Sequence, residues 1–89
     1  MIAKHLVVKG KVQGVYFRAS TQNEAVKHGL MGWVKNTTNG NVEIHIEGVE
    51  IDVQKLIQWA KTGPPLAMVS EVQITDAVVA EFDSFRIER

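Results

Sequence analysis

Ile2-Ala3-Lys4-His5-Leu6-Val7-Val8-Lys9-Gly10-Lys11-Val12-Gln13-Gly14-Val15-Tyr16-Phe17-Arg18 changes its hydrophobic period partway along, and that change decides the fold. Up to Val12 the even positions Ile2, Leu6, Val8 and Val12 are apolar, whereas His5, Lys9 and Lys11 fall on odd ones. Lys4 and Val7 break the alternation. A period of two in β-branched residues predicts a half-buried strand. Gly14 ends that pattern. From Phe17 to His28 there is no proline, and Phe17, Thr21 and Ala25 recur at helical spacing with Gln22 and Val26 alongside. This predicts a helix. Lys27 and His28 suit its negative C-terminal end, and Gly29 can supply the left-handed cap.

Working onward, Met31 to Lys35 reads as a second strand and Asn36 to Gly40 as a polar turn, with Asn39-Gly40 a strong hairpin signal. Val42, Ile44 and Ile46 alternate with Glu43, His45 and Glu47, a third strand ended by Gly48. Val49, Val53, Leu56 and Ala60 then share one helical face, with Ile57 beside it. Glu50 and Asp52 in the first turn and Lys61 in the last complement the helix dipole, and Gly63-Pro64-Pro65 stops the helix. Val72 and Ile74 mark a fourth strand, Phe85 and Ile87 a short fifth one. The order β-α-β-β-α-β plus a terminal strand predicts an α+β ferredoxin-like sandwich. Its mainly antiparallel sheet carries both helices on one face, with the first strand between the third and the fourth.

Composition narrows the function. The 89 residues predict a single domain, residues 1–89. A chain this short buries only about 60–65% of its unfolded surface, which favours chemistry on a surface loop over a deep cofactor cavity. Ten basic side chains balance ten acidic ones, so no general field draws the chain to nucleic acid or to an anionic membrane. An anion must be caught by a local device. With no cysteine, disulfides and thiolate metal sites are excluded, and a cytoplasmic location is expected. Met1 leads straight into the strand pattern, which predicts no secretory leader, and no apolar run is long enough to span a membrane.

The local device is the segment from Gln13 to Arg18, which joins a strand directly to a helix. The first N–H groups of a helix lack internal partners and sit at the positive end of its dipole. Successive N–H groups in a tight turn make an anion-binding concavity, and Gly14 frees the backbone to curl. Arg18 stands in the first turn, where a cation is disfavoured by roughly 0.3–1 kcal/mol, and no acid lies between Ile2 and Asn23. A bound anion would reverse that penalty, and the guanidinium fork matches two phosphate oxygens. A Gly-containing turn with a solvated Arg would give the same spacing, and on spacing alone the two readings are even. The segment matches neither the dinucleotide fingerprint nor the nucleoside-triphosphate loop. Asn36 is the second candidate. Strand directions bring its end of the sheet to the same edge as the loop, although Asn is more often a turn former.

Gly10-x-Val12-Gln13-Gly14-Val15-x-Phe17-Arg18 resembles the first signature of the acylphosphatase family. Gly32-Trp33-Val34-Lys35-Asn36, three residues, Gly40-x-Val42, five residues and Gly48 resemble its second. Both match at every defining position, and the likeness in length and element order covers essentially the whole chain. Tyr16 stands where the family often has a small residue. The resemblance implies hydrolysis of the carboxyl–phosphate bond of acyl phosphates. It assigns phosphate binding to Arg18 with the amides of Gln13, Gly14, Val15, Tyr16 and Phe17, and orientation of the attacking water to Asn36.

What is missing fits that chemistry. The leaving carboxylate has a conjugate acid of pKa about 4 and needs no general acid. A loose phosphoryl-transfer transition state gains little from a strong base. No cofactor or metal is expected: Glu43, His45 and Glu47 read as a solvated outer face. His5 also reads as outward, His28 as serving a helix end, Trp59 as helix packing, and Trp33 as packing on the sheet face away from the helices. Two other classes remain to be weighed. A non-catalytic anion-binding module would need Arg18 but no water-orienting Asn36. A nucleic-acid-binding domain of this topology would stack bases on outward aromatics, which the central strands lack. The expected partner is a small acyl phosphate, the expected state a monomer.

Overall fold

The change of period after Val12 falls at a strand–helix junction, as the sequence predicts. The computed structural model describes residues 1–89. Its elements are β1 (Ile2–Lys11), α1 (Phe17–Lys27), β2 (Met31–Asn36), β3 (Val42–Gly48), α2 (Glu50–Ala60), β4 (Met68–Ala77) and β5 (Phe85–Ile87). The sheet order is β4-β1-β3-β2-β5. The pairings β1–β3, β1–β4 and β2–β3 are antiparallel, whereas β5 lies parallel to β2. This is the ferredoxin-like sandwich, with one extra edge strand.

Register explains where the core sits. Residues opposite one another on neighbouring strands share a sheet face. Ile74, Leu6, Ile44, Val34 and Ile87 form one such row across all five strands. Leu6, Ile44 and Val34 are fully buried, but Ile74 and Ile87, on the two edge strands, are 40% and 38% exposed. Helix α1 lies over β2 and β5 and α2 over β1 and β3, so β4 has no helix above it, whereas on β5 Phe85 is buried and Ile87, the last residue of the strand, is left at the rim. From above, α1 contributes Phe17, Thr21 and Ala25, and α2 contributes Val53, Leu56, Ile57 and Ala60. The Phe17 and Trp59 rings meet at 5.5 Å between the helices, so Trp59 does pack as expected. Thr21 is tolerated in the core because its hydroxyl donates to the Phe17 carbonyl at 2.8 Å.

Helix α1 ends as its sequence foretells. Gly29 takes φ +68, the Leu30 N–H donates to the Ala25 carbonyl at 2.8 Å and the Gly29 N–H to the Val26 carbonyl at 3.1 Å, a paired capping arrangement. One expectation is corrected, and two elements prove more exposed than their apolar residues suggest. Val49 is 60% exposed, because it is the extended N-cap of α2 and precedes the helical face. Val26 is 65% exposed on the outer side of α1. The fourth strand is ten residues long and exposed over most of its length, since as an edge strand it pairs with β1 alone.

The largest correction concerns β3. Glu43 remains partly exposed, but His45 and Glu47 are buried, at 8% and 1% exposure. Residues 78–84 cross the outer face of the sheet as a strap and cover them. The Glu47 carboxylate accepts the backbone N–H of Ala80, that of Phe82 at 3.2 Å, and the His45 Nε2 at 2.8 Å. The His45 ring stacks on Trp33 at 6.0 Å and meets the edge of Phe82 at 5.4 Å. Trp33 thus shields the open sheet face. Burial alone would raise the pKa of Glu47. The Ala80 N–H, the His45 ring and the Phe82 N–H outweigh it and hold the carboxyl below its ordinary value.

Candidate active site

Two side chains fix the loop after β1. Val15 and Phe17 are 4% and 2% exposed, plugged into the core, and Tyr16 between them is forced outward, 75% exposed. The chain therefore enters α1 with its first turn pinned by Phe17, and Arg18 next to it points out of the core, half-buried. Before this turn, β1 carries a bulge between Lys9 and Gly10. A side chain at residue 10 would be impossible, because its Cβ would lie 2.2 Å from the Met68 carbonyl oxygen. At Gly14 the reason is different: φ is +74 and nothing lies within 4 Å of a would-be Cβ, so the demand is purely on backbone conformation. Tyr16 also adopts a left-handed conformation, φ 65 and ψ 24, at a cost of about 1 kcal/mol for a residue with a β-carbon.

This curl leaves amides free. The first helical hydrogen bond runs from the Ser20 N–H to the Tyr16 carbonyl at 3.0 Å. The N–H groups of Gly14, Val15 and Tyr16 have no backbone acceptor, Tyr16 supplies no side-chain cap, and the first turn contains no acid. The amide nest and helix N-terminus are thus unneutralised from within, a site suited to an anion.

Arg18 and Asn36 line one cavity of about 470 Å³ at this corner, with Gly14, Tyr16 and Phe17. Neither side chain is held elsewhere: the Arg18 guanidinium is in none of the ion pairs, and the Asn36 amide has no hydrogen-bond partner within the chain. Asn36 is the last residue of β2, opposite Val42 of β3. The structure therefore brings the two residues to one cavity from the start of α1 and the end of β2, with a free guanidinium and a free carboxamide available to a ligand.

Gln13 and Val15 do not line that cavity. Val15 is a core plug. The Gln13 side chain reaches the hairpin loop, donating from Nε2 to the Thr37 carbonyl at 2.7 Å and the Asn41 carbonyl at 2.8 Å. The hairpin is wider than the Asn39-Gly40 signal predicts. Residues 37–41 form the loop, closed by the Thr37 N–H to the Asn41 carbonyl at 2.9 Å and by the Asn41 N–H to the Thr37 hydroxyl at 3.1 Å. Gln13 thus clamps the Asn36 end of the site to the loop that carries Arg18. Gln13→Ala is expected to cost about 1 kcal/mol through the loss of two hydrogen bonds to part-buried carbonyls that each keep another donor. Gln13→Glu should cost more, because a carboxylate facing two carbonyl oxygens is repelled. Denaturant melts check this, and an unchanged midpoint in both variants would show that the clamp carries no weight.

Sequence reasoning missed Val12, Ala19, Ile87 and Arg89 on the cavity wall. Val12 and Ala19 flank the loop and were within reach of it. Ile87 and Arg89 arrive because β5 returns beside β2, with the Glu88 N–H bonded to the Val34 carbonyl at 2.8 Å. No local signal in the sequence announces that pairing.

Comparison with known proteins places the chain as a whole. The sequence profile of the acylphosphatase family matches residues 4–87. An acylphosphatase of Pyrobaculum islandicum is 48% identical over 88 residues, which cover 97% of this chain and 93% of that one. The crystal structure of acylphosphatase from Bacillus subtilis superimposes with a TM-score of 0.97 at 38% identity, over 100% of both chains. An acylphosphatase from Coxiella burnetii gives 0.95 at 40% identity, covering 98% of this chain and 92% of that one. Profile, identity over nearly full length and backbone geometry coincide, and the chain belongs to the acylphosphatase family.

Proposed function

We propose that Arg18 and the amides of the loop from Gln13 to Arg18 hold the phosphoryl group of an acyl phosphate while Asn36 orients the water that attacks it. The activity that family and fold support is hydrolysis of acyl phosphates. The observation carrying the residue assignment is that the unpaired Arg18 guanidinium and the unpaired Asn36 carboxamide border one cavity beside free backbone amides.

The chemistry is economical. The water oxygen forms a bond to phosphorus as the bond between phosphorus and the acyl oxygen breaks, and its electron pair leaves with the carboxylate. One water proton stays on the attacking oxygen in the product phosphate and the other passes to a second phosphate oxygen or to solvent. The carboxylate leaves unaided, its conjugate acid having pKa about 4. Barrier lowering then comes from positioning and from donors aimed at the equatorial oxygens. The Asn36 carbonyl oxygen accepts a hydrogen bond from the water and aims it in line. We read the chain as one catalytic domain, residues 1–89, acting as a monomer in the cytoplasm on a small substrate, without nucleic acid or metal. All the groups invoked come from one chain, and balanced charge offers nothing to a polyanion.

Phosphate release from acetyl phosphate or benzoyl phosphate, without added metal, tests the proposal. Asn36→Ala is expected to lower kcat by about 10²-fold, the scale of a misplaced nucleophile, while inorganic phosphate still competes. Equal loss of phosphate affinity would move Asn36 from the water to the phosphate. A wild-type protein that binds phosphate and turns over neither substrate would make the site a sensor.

A further inference from the structure

We infer that Tyr16 and Ile87 form an acyl subsite that makes this enzyme select acyl phosphates with aromatic or extended apolar acyl groups over acetyl phosphate. The inference rests on the proposed placement of the phosphoryl group at Arg18 and adds what occupies the rest of the cavity.

At about 470 Å³, the cavity lies within the range of about 300–1,000 Å³ typical of small-molecule sites and exceeds what a phosphoryl group fills. With Gly14, Arg18 and Asn36 taken up by phosphate and water, the remaining wall includes Tyr16, Ala19 and Ile87. Two of these are anomalous as structural residues. Tyr16 holds a large ring 75% exposed, and its side chain supplies no cap to the helix it precedes. It does so on a left-handed backbone where glycine would sit without strain. Ile87 is the end of the apolar row across the sheet and the last residue of β5, left 38% exposed at the cavity although α1 packs on the same strand and buries Phe85. The two come from elements 71 positions apart and border one cavity. Their places are fixed from behind: Val15 and Phe17 anchor Tyr16 on both sides, and β5 is held against β2 through Gly32, Trp33 and Val34. A flat apolar acyl group seated between them would remove apolar surface on both partners from water, with ring-on-ring contact at Tyr16. Arg89 also lines the cavity, but it is exposed at the surface, where an ion pair with a carboxylated acyl group gains little.

The test compares ratios, so that it stands apart from the rate of the reaction itself. For wild type, kcat/KM for benzoyl phosphate should exceed that for acetyl phosphate by roughly tenfold or more. Inhibition by phenylphosphonate against methylphosphonate should show the same preference without any turnover. Tyr16→Gly and, separately, Ile87→Ser should each lower both ratios several-fold, and Tyr16→Phe should keep them. Tyr16→Gly also relieves backbone strain, so loss of fold cannot explain its result. Ratios unmoved by both variants, or a preference for succinyl phosphate over benzoyl phosphate, would overturn the subsite. A protein that hydrolyses neither substrate but prefers phenylphosphonate would instead keep the subsite and refute the hydrolytic reading.

Discussion

Arg18→Ala is expected to lower kcat/KM for benzoyl phosphate by about 10³-fold, the scale of removing a charged donor from a transferring phosphoryl group, while leaving the fold as stable or more so. The two directions follow from one fact. Arg18 sits in the first turn of α1, where the helix dipole opposes a cation by roughly 0.3–1 kcal/mol, and no carboxylate in the chain pairs with it. Without a ligand the guanidinium is therefore a small liability to folding. With a phosphate present, helix end and guanidinium both face the anion, and the liability becomes binding energy. Arg18→Lys should recover a minor part of the loss, since it restores the charge but not the planar fork. Thermal melts in phosphate separate binding from chemistry. A ligand bound only to the folded state raises stability in proportion to the logarithm of its excess over Kd. Phosphate should thus raise Tm for wild type and not for Arg18→Ala. A variant within tenfold of wild type in turnover would remove Arg18 from the mechanism.

The second large effect lies on the opposite face of the sheet and concerns stability. Glu47→Ala is expected to cost about 3 kcal/mol, because it strands two backbone donors and a buried imidazole that the carboxylate now satisfies. For a chain of this size that is a shift in Tm of about 15 °C. The strap 78–84 is tied to the sheet by Ala80 and Phe82 through this one side chain, so its amides should exchange first. Glu47→Gln keeps an acceptor and should fall between the two. The pH dependence has a definite sign. The carboxyl titrates lower in the folded chain than in the unfolded one, so its contribution is complete above the ordinary carboxylate pKa. It is lost as pH falls through the lower, folded value. The gap in stability between wild type and Glu47→Ala should accordingly narrow on acidification. Asp76, paired with Lys4 at the surface and also lowered, titrates in the same direction in both proteins and cancels from the comparison. A gap independent of pH from neutral into the acid range would mean that packing, not the charge, ties down the strap.

Legibility from sequence differed sharply between residues with similar patterns. Glu43, His45 and Glu47 look alike in sequence, three polar residues at alternate positions, and a solvated face was the natural expectation. Glu43 fits it. His45 and Glu47 do not, because burial there depends on a segment more than 30 residues downstream. Alternation reports which face a residue takes; it carries no information on what later covers that face. Gln13 shows the same limit inside the signature. Its place in the loop speaks only for its backbone amide, whereas its side-chain amide spans to carbonyls 24 and 28 residues away. Val49 failed for a local reason, since helical spacing extended one residue past the true N-cap.

The sequence by itself determined the order of elements, the curled junction after β1, the cation in its first turn and the strand end bearing Asn36. Each depends on neighbours a few residues apart: a period of two or 3.6, a glycine able to take positive φ, a helix end with free amides. Tertiary structure alone decided that β5 would close the cavity with Ile87 and Arg89, that Gln13 would lock two loops together, and that Glu47 would be buried as an anion. These are contacts between distant segments, selected by the shape and free donors of a partner surface that exists only once the sheet has formed.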